Sequence, residues 1–330
     1  MKIKEININE GQYLEDVMPK ILVNQRPAIP TNTILNKVMT GCGATWLEIH
    51  SERHSIVIEP NVPVIIGKKA QHPFLFAVYE GTTREDVKAY LAGEEDGYRK
   101  IITTPEGFDK KVLPAMYELG LEVYEEYFLL FDECEKPVQD VGYRGDIYLP
   151  VEDFFKFENK AMVSATPIVP SDPRFEENGF KILKLVPTYD SRIELTLCTT
   201  NNTVAVMRKL LKRLENETVC VFLNSTETIL SLIYALRLQG RSRVFCSEKS
   251  VRKLKQMNFT DASETLDELA PVNFLTSRFY AAVDIKLDYK PHVILLTDVM
   301  RYNADPRPQK MGTFSQYAYP HTLERYAEVA

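Results

Sequence analysis

Short, wholly apolar runs alternate with amphipathic helical stretches along most of this chain, and that alternation leaves few folds open. Strands buried on both faces read as continuous apolar runs, and neighbouring parallel strands need a helical crossover between them. Runs at Ser55–Ile58, Val64–Ile66, Lys100–Thr103, Phe128–Phe131 and Ala161–Ser164 predict one such sheet. Runs at Ile182–Pro187, Ile193–Thr196, Val219–Leu223, Arg243–Cys246, Asn273–Thr276 and His292–Leu296 predict a second. Helices are expected over Thr203–Glu215, Glu227–Leu238 and Lys249–Gln256. Between the two sets, Thr166–Gly179 is rich in Pro, Asp and Asn and reads as a connection. The expected organisation is a first lobe over 1–166, a linker over 167–179 and a second lobe over 180–330. The tail beyond Met300 has weak periodicity and reads as an unfinished element.

With 330 residues the chain can bury two such cores. Composition is ordinary for a globular protein, 45% hydrophobic and 26% charged, with a net charge of −6. No apolar run approaches the roughly eighteen residues of a membrane span, and the polar N-terminus lacks a secretory apolar region. Five cysteines without metal-ligand spacing are expected to be reduced thiols in the cytoplasm. Charge is unevenly spread. Arg208–Lys255 holds eleven Lys/Arg against four Glu, and Glu80–Glu135 fifteen Asp/Glu against six Lys/Arg. A basic second half suits contact with a phosphate backbone, and solvated helix faces are the plainer reading.

Three segments carry chemistry. Leu129-Leu130-Phe131-Asp132-Glu133-Cys134-Glu135 is an apolar run ending in paired acids. A buried strand that delivers Asp-Glu to a sheet edge suits Mg²⁺ coordination and water activation beside a nucleotide. About thirty residues on, Ser164-Ala165-Thr166 ends a second run before Pro167. Upstream, Thr40-Gly41-Cys42-Gly43-Ala44-Thr45 has the small residues and hydroxyl of a phosphate loop. Ala44 stands where the phosphate-binding lysine of such a loop is expected. Lys37, seven residues earlier, is a cation within swinging reach.

In this order and spacing the segments resemble motifs I, II and III of the superfamily 2 helicases, the DEAD/DEAH-box-like nucleic-acid motors. The overall pattern is similar to helicase-like proteins of bacterial mobile elements and phages. The resemblance implies two tandem RecA-like α/β lobes with parallel sheets flanked by helices, closing on ATP and Mg²⁺ in the cleft between them. It implies that Thr40, Gly41, Gly43, Ala44 and Thr45 line the nucleotide, and that Thr45 and Asp132 bind metal. Asp132 and Glu133 would be the catalytic pair, with Ser164, Thr166 and Asp284 coupling nucleotide state to the strand groove.

Further segments extend the resemblance. Pro60 and Asn61 are similar to motif Ia, and Thr103-Thr104-Pro105-Glu106 to motif Ib, although helix capping explains the two threonines on their own. Asn224-Ser225 is similar to motif IV and Thr276-Ser277-Arg278 to motif V, where Ala282 replaces the usual glycine. Pro60, Asn61, Thr103, Thr104, Ser225, Thr276, Ser277 and Arg278 would then contact nucleic acid, DNA in preference to RNA. Motif VI, source of the arginine fingers, has no match. Gln309–Gly312 opens similarly but lacks both arginines, so either the chain stops before that motif or the arginines are lost. The implied function is a nucleic-acid-dependent ATPase or helicase-like motor. The alternative is a catalytically impaired helicase-fold module that binds nucleic acid or protein.

Overall fold

The computed structural model describes residues 1–18, 20–21, 26–93, 97–136, 150–191, 194–266, 268–280 and 287–296. The chain divides into two compact units, Met1–Ser191 and Arg192–Ala330.

The first unit contains strands β1 (Lys2–Ile8), β2 (Lys20–Ile21), β3 (Arg26–Pro27), β4 (Thr33–Asn36), β5 (His54–Ile58), β6 (Phe76–Val78), β7 (Lys100–Thr103), β8 (Tyr127–Asp132), β9 (Asn159–Ser164) and β10 (Lys181–Pro187). Eight of these form one sheet in the order β1-β10-β4-β9-β8-β5-β7-β6, and β2 and β3 pair separately. Every ladder in the large sheet is parallel. Alternate residues of β8 show why its sequence is uninterrupted by polar positions. Leu129 and Phe131 enter the core on one face, and Phe128 and Leu130 the core on the other. Both faces are covered, so both must be apolar.

The second unit holds β11 (Val219–Phe222), β12 (Ser242–Phe245), β13 (Ala262–Ser263), β14 (Val272–Leu275) and β15 (His292–Leu295). They form a second all-parallel sheet, ordered β13-β12-β14-β11-β15. Helices Thr203–Arg213, Thr226–Leu236 and Glu248–Gln256 begin at Asn202, Ser225 and Ser247, whose side chains accept hydrogen bonds from the first-turn N–H groups. Among the described residues, no helix is long and apolar enough to cross a membrane.

Four expectations are corrected. Val64–Ile66 lies in the helix Val62–Gln71, with Pro63 in the first turn; Val64 and Ile65 are its buried side and Ile66 is exposed. The strand expected over Ile182–Pro187 in the second lobe belongs to the first sheet, paired with β1 and β4. Its Ile182 packs into one core of that sheet and its Leu183 and Leu185 into the other. The segment read as a linker is anchored as well. Phe175, and Phe180 just after the segment, pack edge-on against each other and lie in tilted contact with Phe154, inside the first core. Finally, Glu194–Thr196 is irregular and exposed rather than a strand. Asp284, Ala282, Ile193 and the segment beyond Val299 lie outside the described residues.

Candidate functional site

Parallel register decides which residues meet. Asn36 of β4 lies opposite Ser164 of β9, and Asp132 of β8 lies opposite Val163. Ile58 of β5 lies opposite Phe131. The carboxyl ends of four adjacent strands therefore stop at one level, and the residues just after them, Lys37, Ala165, Glu133 and Glu59, share one edge. In open parallel sheets, ligand crevices form at such an edge.

The loop after β4 turns sharply. Lys37 N–H donates to the Ser164 carbonyl at 2.9 Å, and Val38, with φ +59°, enters the left-handed region that a β-branched residue rarely adopts. Gly41 and Gly43, with φ +72° and +89°, supply further left-handed turns at no Cβ penalty. Gly43 then caps the helix Ala44–Ile49. Thr40 and Gly41 are exposed at the tip, whereas Ala44 is buried in the first unit's core.

Two contacts join this loop to the paired acids. Thr45 Oγ1 donates to Asp132 Oδ2 at 2.5 Å. Lys37 Nζ donates to Glu133 Oε1 at 2.9 Å and stands 3.5 Å from Asp132 Oδ1. All three charged groups are buried, and Glu133 Oε2 has no hydrogen-bond partner among the described residues. Glu133 itself sits at φ +48°, so one member of the ion pair is in the left-handed region and Val38, next to the other, is too. Such strain persists only where the surroundings enforce it and concentrates at functional sites.

Electrostatics follow from burial and neighbours. Burial disfavours the Lys37 ammonium, but Asp132 and Glu133 outweigh it and hold its pKa well above the usual lysine range. Glu59, buried and beside the same two acids, has its pKa pushed well up, favouring the neutral acid. Glu135 is pushed up to about 8, chiefly by burial and then by Glu133, while Ser164 and Lys136 oppose the shift. Cys134 is half-buried, and desolvation first, then the neighbouring Glu135, Glu133 and Asp132, pushes its thiol pKa well up.

The sequence-derived residues are only partly gathered. Gly41, Gly43, Thr45, Asp132, Glu133 and Ser164 share the edge. Ser164 Oγ accepts from Thr166 N–H at 2.9 Å, and the buried Thr166 Oγ1 has no partner among the described residues. Pro60 is buried, and Asn61 N–H donates to Glu59 at 2.9 Å. Thr103 and Thr104 do not present hydroxyls outward. Thr103 is fully buried and donates to the Thr104 carbonyl, and Thr104 accepts from Gly107 N–H as a helix cap. The capping reading fits Thr104, the residue after the strand end, and not Thr103, the last residue of the strand itself. Lys37 and Glu59 were not assigned by sequence. The only signal for Lys37 was the missing lysine at 44, and for Glu59 its place after an apolar run.

In the second unit, the ends of β12, β14 and β11 likewise align. Ser225 caps one helix, and the Thr276 hydroxyl donates inward to the Phe245 carbonyl at 3.2 Å. Ser277 N–H donates to Asn224 Oδ1 at 3.2 Å, tying two strand ends together. Arg278 is half-buried, and its Nε has no partner among the described residues.

The chain is similar in structure to S. cerevisiae Dbp5 bound to RNA and ADP BeF3, with a TM-score of 0.50 and 11% identity over 91% of this chain and 84% of that one. A single-residue variant of that protein, likewise bound to RNA and ADP BeF3, gives the same score, identity and coverage. No family model matches the sequence, and no curated protein matches it. At this identity the likeness is one of fold: two parallel sheets flanked by helices, as in the tandem RecA-like lobes of helicases.

Proposed function

We propose that this protein is a nucleic-acid-dependent ATPase of the helicase-like kind. The observation that carries the reading is the meeting of Lys37, Thr45, Asp132 and Glu133 at the carboxyl edge of the first sheet, beside a loop with two left-handed glycines. Gly41 and Gly43 let backbone N–H groups of residues 40–45 turn toward a polyphosphate. Ala44 contributes only its backbone.

The donor set fits a hard cation. The hydroxyl of Thr45 and the carboxylate of Asp132 are oxygen ligands of the kind Mg²⁺ takes, and Thr45 already touches Asp132. When bound, Mg²⁺ neutralises phosphate charge. Glu133 Oε2, buried and uncommitted, accepts the proton of a water as that water's oxygen bonds to the γ-phosphorus and the bond to ADP breaks. Ser164 and Thr166 follow directly on the strand between the loop and the acids, which supports a coupling role for them. A strand of nucleic acid is gripped through Ser225, Ser277 and Arg278 at the second sheet's edge. The sequence favours DNA, and the structural neighbour is bound to RNA, so both polymers enter the test.

A second reading has its own observation. Lys37 engages Glu133, and position 44 carries no charge, as in a fold that binds without turnover. ATP hydrolysis measured with and without single-stranded DNA or RNA separates the two. Strand-stimulated hydrolysis that collapses in Glu133→Gln supports the ATPase. Intact strand binding with no hydrolysis supports the binding module.

A further inference from the structure

We propose that Lys37 is the phosphate-contacting lysine of this loop, supplying from the end of β4 the charge that Ala44 cannot. The proposal rests on the nucleotide reading above and adds the residue that recognises the β- and γ-phosphates.

Four observations converge. The Lys37 ammonium stands 3.5 Å from Asp132 Oδ1, and the other oxygen of that carboxylate accepts from Thr45, the hydroxyl that follows the glycine turns, at 2.5 Å. A lysine ammonium has three N–H donors. Among the described residues, its one hydrogen bond goes to Glu133 Oε1. Asp132 Oδ1 pairs with it more loosely at 3.5 Å, which leaves a third N–H with no partner among the described residues in a buried place, where an uncompensated donor is costly and an incoming phosphate oxygen would satisfy it. The Val38 turn fixes the direction of departure of the chain immediately after Lys37, and Asn36 Oδ1 accepts from Val38 N–H at 3.1 Å to hold it. Lastly, Ala44 is packed in the core, so nothing at that position competes for the phosphates.

In this arrangement the acids hold the Lys37 side chain in place until a triphosphate arrives. The ammonium then shares its donors with phosphate oxygens, and Glu133 regains freedom to act on water. A purely structural counter-ion would instead stay with the acids and ignore the length of the phosphate chain.

The test compares Glu133→Gln with Lys37→Met/Glu133→Gln. Removing the cation together with one of its acids avoids leaving both carboxylates unpaired, so the double variant keeps its fold. Binding of fluorescent ATP, ADP and AMP is measured with Mg²⁺ and with chelator. If Lys37 contacts the terminal phosphates, the double variant binds ATP roughly ten- to hundredfold more weakly than Glu133→Gln, the range of one lost charge-assisted contact. AMP binding stays within about twofold. Equal ATP binding by the two variants, or equal losses for ATP and AMP, overturns the proposal. Folding is checked by circular dichroism. Should the double variant not fold, Lys37→Arg in the wild-type background serves: an ATP-over-AMP preference insensitive to that change of donor geometry overturns the proposal, and a changed preference supports it. A wild-type chain that binds no triphosphate is a different result. It overturns the nucleotide reading and this proposal together.

Discussion

Thr45 Oγ1 and Asp132 Oδ2 lie 2.5 Å apart although 87 residues separate them in sequence. The contact joins the helix that follows the glycine turns to the end of a strand buried at every position, and among the described residues it is the one hydrogen bond from Thr45 to the acids. Replacing Thr45 with Val keeps the shape and removes the hydroxyl. The expected result is a loss of Mg²⁺-dependent ATP affinity of roughly ten- to hundredfold, the range seen when a group orienting a metal ligand is removed. Affinity measured in chelator should not change. Titration of fluorescent ATP in both conditions checks this.

The ion pair at Lys37 has a thermodynamic signature as well. Lys37→Met alone leaves Asp132 and Glu133 buried without their cation, which should cost about 3–5 kcal/mol of stability. Adding Glu133→Gln should restore most of that loss, because a neutral amide no longer needs the ammonium. Urea unfolding of the single and double variants measures the difference.

Glu135 gives a pH dependence. Its folded-state pKa is raised, by burial first and Glu133 second, from 4.5 to about 8. Between those values the unfolded chain releases the proton and the folded chain keeps it. Stability from this group is thus fully present below pH 4.5 and lost as pH rises through 8. Glu135→Gln carries no such proton. It should match the wild type near pH 4.5 and exceed it above pH 8 by at least about 1 kcal/mol. Unfolding curves across that range decide it.

In the second unit, Arg278 stands at the end of β14 with one guanidinium N–H free of described partners. Arg278→Ala should weaken nucleic-acid binding similarly for all sequences and lower the salt slope by about one ion. Binding of labelled single strands across a salt series would show it.

The strongest readings from sequence concern residues whose context is local. The β8 run is apolar at every position because both faces are covered, so its end at Asp132 is visible without any structure. Ser164 is marked similarly by β9 and the following Pro167. Two kinds of information are not local. The strand Lys181–Pro187 has the composition of any buried strand, and only its pairing with β1 and β4 assigns it to the first sheet. Likewise Lys37 is one lysine in a polar turn until parallel register brings it level with Glu133. Val64–Ile66 failed for a different reason: an apolar run of three does not distinguish a strand from a buried helix side.

Calorimetric titration of the chain with ATP and Mg²⁺, repeated on Asp132→Ala, tests the account most directly. The account predicts saturable one-to-one binding by the wild type that weakens sharply in Asp132→Ala and when Mg²⁺ is removed. No ATP binding by the wild type, or binding that Asp132→Ala leaves unchanged, would contradict it.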